Sequence, residues 1–379
     1  MKIDRVEIQT TKIPTFRPHQ MAIGTTTHQE NVVVRIYGDD GVDGVGESPF
    51  MVGHSQAGET PDTARVVMST RLIPALEGVD PFDLDAIFLK LERAVPGNLR
   101  AKGAVMMALH DLVGKSLGVP LYTLLGGKVR DRIPLSWSLP IVDLKTALEE
   151  AKDRVSKGWR ILKVKAGRGE PKDDVELVAA LRREFGDDLS IRADANQAYD
   201  VKTAVRVIRS LEPYNITFFE QPVHRTDFEG LRYLARDAGL TVPIMADEAA
   251  HALSDFARIC RMQAADMVSI YIIGPGGPSR SRAMAIMAEH FRIRGYVGGA
   301  LETGVGTAAG LHLAASSAAI DLGCEMVGPF MLESDIVTEP PVMEDGALMV
   351  PTGPGLGVEL DESALAKYRI GDVEVIDFA

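Results

Sequence analysis

The sequence predicts an α/β protein, a modified (β/α)8 TIM-like barrel carrying an N-terminal α+β capping domain. Three observations lead there. From about residue 132 onward, short β-branched runs alternate with amphipathic helical stretches. Eight such runs fit into the roughly 200 residues that a compact barrel needs. No Gly-rich phosphate turn follows the first run, as it would in a doubly wound open sheet. The length of 379 residues suits one large domain and a smaller one.

The elements follow in order. Residues 1–11 alternate as a strand, and 31–48 read as a hairpin around the turn Gly38-Asp39-Asp40-Gly41. Residues 60–125 turn helical, with apolar positions at i, i+3 and i+4 in AKGAVMMALHDLVGKSLG. Strands and then helices describe an α+β layer, which sets a capping domain at 1–128. The alternating region, from IPLSWSLP through RILKVKAG, LSIRADAN, ITFFEQP, VPIMADEA, DMVSIYI and IRGYVGG to GCEMVGP, sets the barrel at 129–340. The Pro/Gly-rich tail at 341–379 ends in the strand-like IGDVEVIDFA, expected to return to the capping layer.

Composition narrows the function. Basic residues number 41 against 53 acidic ones, a net charge of −12, and no Lys/Arg-rich run occurs, so nucleic acid is excluded as a main partner. Cys260 and Cys324 supply neither a disulfide framework nor a zinc pattern and are expected to be buried small hydrophobes. No stretch of about 18 apolar residues offers a membrane helix, and the first residues lack the apolar run of a signal peptide. The expectation is a cytoplasmic protein with no membrane partner.

In a barrel, residues at the C-terminal ends of strands point into the active-site mouth. Those ends carry Lys163 and Lys165, then Asp194, Glu220 and Asp247. From Lys165 to Asp194 is 29 residues, from there to Glu220 is 26, and on to Asp247 is 27. Each interval is one βα repeat, so one strand-end position recurs on neighbouring strands. Converging carboxylates repel unless a cation joins them, and oxygen ligands without Cys or His suit Mg²⁺, with Mn²⁺ an alternative. Lys163 and Lys165 share a strand face, their Cα atoms about 6.6 Å apart. Each lysine is expected to depress the pKa of the other, as a base near neutral pH requires. A lysine beside Mg²⁺ suits abstraction of the proton next to a carboxylate, the metal neutralising the charge that develops.

These residues resemble the signature of the enolase superfamily, in its mandelate racemase/muconate lactonizing enzyme branch: K-V-K at 163–165, D-A-N at 194–196, F-E-Q-P at 219–222 and A-D-E at 246–248. The likeness spans nearly the whole chain, including G-V-D-G-V-G-E-S (41–48), P-L-Y-T-L-L-G-G (120–127) and P-T-G-P-G-L-G-V-E-L (351–360). That tail and E-M-V-G-P-F-M-L (325–332) look most like muconate and chloromuconate cycloisomerases. The resemblance implies Asp194, Glu220 and Asp247 as Mg²⁺ ligands, Lys165 as acid/base and Lys163 as its tuning partner and a holder of the substrate carboxylate. It also implies Glu302, in L-E-T-G-V-G-T-A (301–308), as a further site residue at the barrel mouth. A small carboxylate substrate and a homo-oligomer, dimer to octamer, are implied with them.

The chain departs from the family on strand 6. Relatives carry a lysine in D-x-x-x-x-K-x-x-x-x-G-G, whereas D-M-V-S-I-Y-I-I-G-P-G-G (266–277) places Tyr271 there. Tyr271 is read either as packing or as a proton donor or hydrogen-bond partner of the substrate. Strand 7 lacks the histidine of mandelate racemase-type members. The favoured activity is therefore cycloisomerisation through an enolate. Alternatives are a one-base dehydratase of a hydroxy or sugar acid, a racemase or epimerase of an amino-acid derivative, and a barrel that binds a carboxylate without turnover. His19, His28 and His54 are read as solvated loop residues in capping segments 15–30 and 49–60. His251 is read as a candidate pocket residue, and His290 and His312 as packing.

Overall fold

The structure, a computed structural model, describes residues 1–51 and 58–378; His54 lies outside them. Three long strands open the chain: β1 (Ile3–Met21), β2 (Gly24–Gly38) and β3 (Asp43–Met51). The 38–41 turn joins β2 to β3 as the sequence predicts. The hairpin that was expected to be loop from 15 to 30 is instead the continuation of β1 into β2, with His19 opposite Thr26 and Gln20 opposite Thr25. Pro14 and Pro18 remove amide donors and read as loop punctuation; the ladder accommodates them through an irregularity between Pro14 and His19.

The helix Leu99–Leu117 packs across this sheet with nearly all of its residues buried. Its close approach needs Gly44 and Gly46 on β3: a Cβ at either would lie within 2.2 Å of the backbone oxygens of Ala108 or Ala104. The apolar faces of sheet and helix form their own core, with Ile8, Val34, Ile36, Ala104, Leu109 and Leu112 all inaccessible to solvent.

A short strand β4 (Arg132–Pro134) leads into seven parallel strands: β5 (Ser136–Leu139), β6 (Ile161–Lys165), β7 (Ser190–Asp194), β8 (Phe219–Glu220), β9 (Ile244–Ala246), β10 (Met267–Ile270) and β11 (Arg294–Val297). They pair in chain order as one curled sheet. The eighth expected strand is not a strand. It contracts to Cys324, which bridges Leu135 on one edge and Val297 on the other. Cys324 N–H donates to Pro134 O and Ser136 N–H to Cys324 O, each at 2.9 Å, while Glu325 N–H donates to Val297 O at 2.9 Å. A single residue thus joins the two edges, which otherwise would carry unpaired backbone groups.

Beyond the barrel, β12 (Met343–Glu344) pairs with β13 (Ala347–Met349), β13 pairs with β4, and β14 (Arg369–Asp377) runs antiparallel to β1. The tail therefore returns to the N-terminal sheet. Among the described residues no helix is long and apolar enough to cross a membrane.

Candidate active site

The strand-end residues meet at one level of the barrel. Lys165 stands in register with Asp194, and Asp194 with Glu220. Asp247 follows β9, two residues past the Met245 that pairs with Glu220. All are buried: Lys163 and Asp247 are 1% exposed, Lys165 7%, Asp194 0% and Glu220 1%. Lys165 Nζ donates to Asp194 Oδ2 at 2.6 Å. Lys163 Nζ lies 3.3 Å from the same oxygen and 3.2 Å from Glu220 Oε2, and also contacts Glu325.

Glu325 is the member of this cluster that sequence reasoning missed. It follows Cys324 in the contracted eighth unit, so it holds the strand-end place that Asp194 and Glu220 hold on theirs. The signal was available, because the same counting applied to GCEMVGP reaches it. Its carboxylate pairs with Lys163, as that of Glu220 does.

The charge balance differs from expectation in one respect. Burial pushes the Lys165 ammonium down and Lys163 adds to that, but Asp194, Glu325 and Glu220 together outweigh them, and the lysine ends above its ordinary value. Lys163 is likewise pushed down by burial and carried well above its ordinary value by Glu220, Glu325 and Asp194. The expected depression of Lys165 by Lys163 is present and is overruled by the surrounding acids. For the carboxylates, burial raises Asp194, while Lys165 and Lys163 bring it below its usual range. Glu220 and Asp247 remain well above theirs, chiefly through burial.

Two motif residues act on the site through the backbone. Gln221, in F-E-Q-P, takes a positive φ of 32° and accepts from the N–H groups of Asp247 at 3.0 Å and Ala249 at 3.1 Å, fixing the A-D-E turn. Asn196, in D-A-N, donates its N–H to Asp194 Oδ1 at 2.8 Å and its side-chain amide to Glu248 Oε1 at 3.2 Å.

Whether the residues fit a cation can be judged from their oxygens. Among the described residues no three Asp, Glu, His or Cys side chains stand as a ready-made cation cage, since the two ammonium groups draw Asp194 and Glu220 to themselves. Yet Asp247 Oδ1, Glu248 Oε2 and Asn196 Oδ1 are buried oxygens without a hydrogen-bond partner. Buried acceptors in that state are costly, and an oxygen-only set of this kind suits a hard divalent ion. The donor chemistry fits.

Tyr271 is brought into the site. Its hydroxyl donates to Asp247 Oδ2 at 3.3 Å, and its ring meets His251 edge-on at 5.4 Å between centroids. Gly298 makes room for it, since a Cβ there would lie 2.8 Å from the tyrosine ring. Burial pushes the phenol well above its ordinary value, with Asp247 adding to that. Glu302 is buried at 1% exposure and pushed up to about 7 by burial. It accepts from Ala300 N–H at 2.8 Å rather than from a lysine, so it flanks the cluster without joining it.

The histidines divide. His19 is buried at 3% on β1, not solvated in a loop. His251 lines a cavity of about 350 Å³ beside the barrel mouth, as expected. His312 is buried, accepting from Tyr122 N–H at 3.3 Å, while His290 is exposed at a helix end rather than packed. Both cysteines are buried and free.

A capped parallel barrel with an acid-flanked lysine pair at its strand ends is the architecture of an enzyme. Residues 5–126 match the mandelate racemase/muconate lactonizing enzyme N-terminal domain, and residues 146–364 match the enolase C-terminal domain-like family. The chain belongs to the mandelate racemase/muconate lactonizing enzyme family and is an enolase-superfamily enzyme. Chloromuconate cycloisomerase from Cupriavidus pinatubonensis is 37% identical over 369 residues, covering 97% of this chain and 99% of that protein. The muconate lactonizing enzyme from Pseudomonas fluorescens, solved with muconolactone, superposes with a TM-score of 0.94 at 37% identity, covering 97% and 99% of the two chains. N-succinyl Arg/Lys racemase from Bacillus cereus superposes with a TM-score of 0.94 at 28% identity, covering 99% and 100%.

Proposed function

We propose that this enzyme is a cycloisomerase of a muconate-type dicarboxylate. In ring closure, one carboxylate oxygen adds across the C=C bond conjugated to the other carboxylate, and the resulting enolate takes a proton at its α-carbon. The dianion gains one proton and becomes the lactone monoanion, with no other atom gained or lost. Lys165 gives that proton, and in lactone opening it takes it back. The observation that carries the reading is the Lys165 ammonium 2.6 Å from Asp194. The site holds this lysine protonated, the form that ring closure consumes.

Lys163, between Glu220 and Glu325, holds the substrate carboxylate and lends positive charge to the enolate. A Mg²⁺ or Mn²⁺ ion held by Asp194, Glu220 and Asp247 would supply further positive charge to the same oxygens. Proton transfer between two faces of one carbon, the chemistry of a racemase, needs a base on each face. On strand 6 this chain offers Tyr271, a phenol held in its donor form by burial and by Asp247. One-base lactonisation is therefore favoured over racemisation.

The test is proton NMR of cis,cis-muconate in D₂O with Mg²⁺. The expected product is a lactone carrying one deuterium at the α-carbon. Water loss from a hydroxy or sugar acid, with muconate untouched, would replace this reading by the dehydratase one.

A further inference from the structure

We infer that Arg192, buried beneath the strand-end cluster, is a positioning residue for the cation: its fixed charge sets how strongly Asp194, Glu220 and Asp247 draw a metal ion. The inference rests on the cation reading of those oxygens and not on the identity of the substrate.

Arg192 stands two residues before Asp194 on β7 and so shares its barrel-interior face. Across the ladder it is in register with Lys163 on β6. Phe218, Met245, Met267, Tyr296 and Leu322 form a separate apolar cluster. Phe218 and Met245 lie two residues before Glu220 and Asp247, so this cluster fills the barrel one layer below the acids. The guanidinium lies against two of its rings, 5.0 Å from the Phe218 centroid and 4.9 Å from that of Tyr296. At 3% exposure, solvent does not screen it.

What marks this arginine is a missing partner. Lys163 and Lys165 each meet acids at bonding distance. Arg192 instead donates from Nη2 to Leu322 O at 2.6 Å. Among the described residues its Nε and Nη1 have no hydrogen-bond partner. Buried arginines ordinarily pair with a carboxylate, and a guanidinium keeps its proton. Its charge is therefore left to act over a distance. The acids it acts on are Glu220 and Glu325, the two that also hold Lys163.

Counting formal charges gives the consequence. Asp194, Glu220, Asp247, Glu248 and Glu325 are five buried acids, against the three buried cations Lys163, Lys165 and Arg192. Glu302 has Arg100 of the cap acting on it and stands outside the count. Five less three leaves a deficit of two, which one divalent ion cancels. Without Arg192 the deficit is three, and the same oxygens draw a cation more strongly.

The decisive measurement is calorimetric titration of Mg²⁺ into the metal-free protein, with no substrate present. Wild type, Arg192→Met and Arg192→Lys are compared. Arg192→Met is expected to bind Mg²⁺ about tenfold more tightly than wild type, and Arg192→Lys, which keeps the charge, within about twofold of it. A role in packing alone predicts the opposite sign, because a loosened layer beneath the acids weakens Mg²⁺ binding in both variants. Should Arg192→Met fail to fold, Arg192→Gln, which keeps a donor for Leu322 O, carries the same comparison and the same expected tightening. Equal or weaker Mg²⁺ affinity in the neutral variant overturns the inference and leaves the cation reading standing. Tightening to the same degree in Arg192→Lys also overturns it, since charge would then not be the cause. No Mg²⁺ binding to wild type removes the inference and the cation reading together.

Discussion

Two sets of buried carboxylates in this molecule behave as opposites in structure. At the seam between cap and barrel, Glu47 on β3 reaches the N-terminus of the helix Gly304–Ser316. Its Oε1 accepts from the N–H groups of Thr303 and Gly306, each at 2.8 Å, and its Oε2 from Thr303 Oγ1 at 2.7 Å and Asn31 Nδ2 at 3.2 Å. In the cap, Asp111 accepts from Val45 N–H at 2.9 Å and Leu356 N–H at 2.7 Å, with Lys115 at 3.0 Å. Every oxygen in this set is used. At the barrel mouth, by contrast, among the described residues the Glu220 carboxylate meets only Lys163, and Asp247 and Glu248 each keep one buried oxygen without a partner. Burial alone does not mark a functional carboxylate. What separates the two sets is whether backbone donors have closed the acceptor sites or left them for a ligand.

The largest effect that this contrast implies is at Lys165. Removing it as Lys165→Ala takes away the proton donor and leaves Asp194 with the Lys163 ammonium and the Asn196 N–H. Turnover of muconate should fall roughly 10²- to 10⁴-fold, the range for a positioned acid/base. The check is the steady-state rate of lactone formation, with fold and Mg²⁺ binding retained. A loss of less than tenfold would move the acid/base role to another group.

A second comparison tests the two sets against each other by stability. Glu47→Ala leaves two backbone N–H groups at a helix start without an acceptor, and should destabilise the protein by about 2–4 kcal/mol. Glu47→Gln keeps one oxygen acceptor and should fall between. At the mouth, Asp247→Asn removes a charge that burial, Glu248 and Asp194 all disfavour. Without added metal it should leave stability unchanged or raise it, while weakening Mg²⁺ binding sharply. Urea unfolding midpoints of both variants, measured in a chelator, give the answer. If Asp247→Asn destabilised as much as Glu47→Ala, the mouth carboxylates would be structural after all.

The open set was legible in the sequence and the closed set was not, for a physical reason. Asp194, Glu220 and Asp247 recur at the βα period, so counting along the chain places them at one level of the barrel. Glu47 finds its partners 256 and 259 residues away, and no local pattern announces a contact of that separation. Gly306 marks the contact only in three dimensions, where a Cβ would lie 2.6 Å from Glu47 Oε1. Glu325 fell between the two cases: the period reaches it, but its strand shrinks to the Cys324 bridge and leaves no run of residues to count. His19 was hidden by Pro14 and Pro18, which break the strand pattern in sequence while the ladder continues around them.

The smallest expected effect sits just past β10, at Tyr271. Tyr271 meets Asp247 through a hydroxyl 3.3 Å from the carboxylate oxygen, near the long end for such a bond. If its role is to steady Asp247 and fill the space cleared by Gly298, Tyr271→Phe removes one weak contact and keeps the packing. The rate should then fall less than tenfold, corresponding to about 1 kcal/mol, with any change appearing in Mg²⁺ affinity. A proton donor would behave differently. Its loss would lower the rate by 10²-fold or more while Mg²⁺ binding held. The ratio of the two responses in one variant therefore decides whether strand 6 contributes chemistry or only support. A reduced rate with unaltered metal affinity would place Tyr271 beside Lys165 among the groups that move protons.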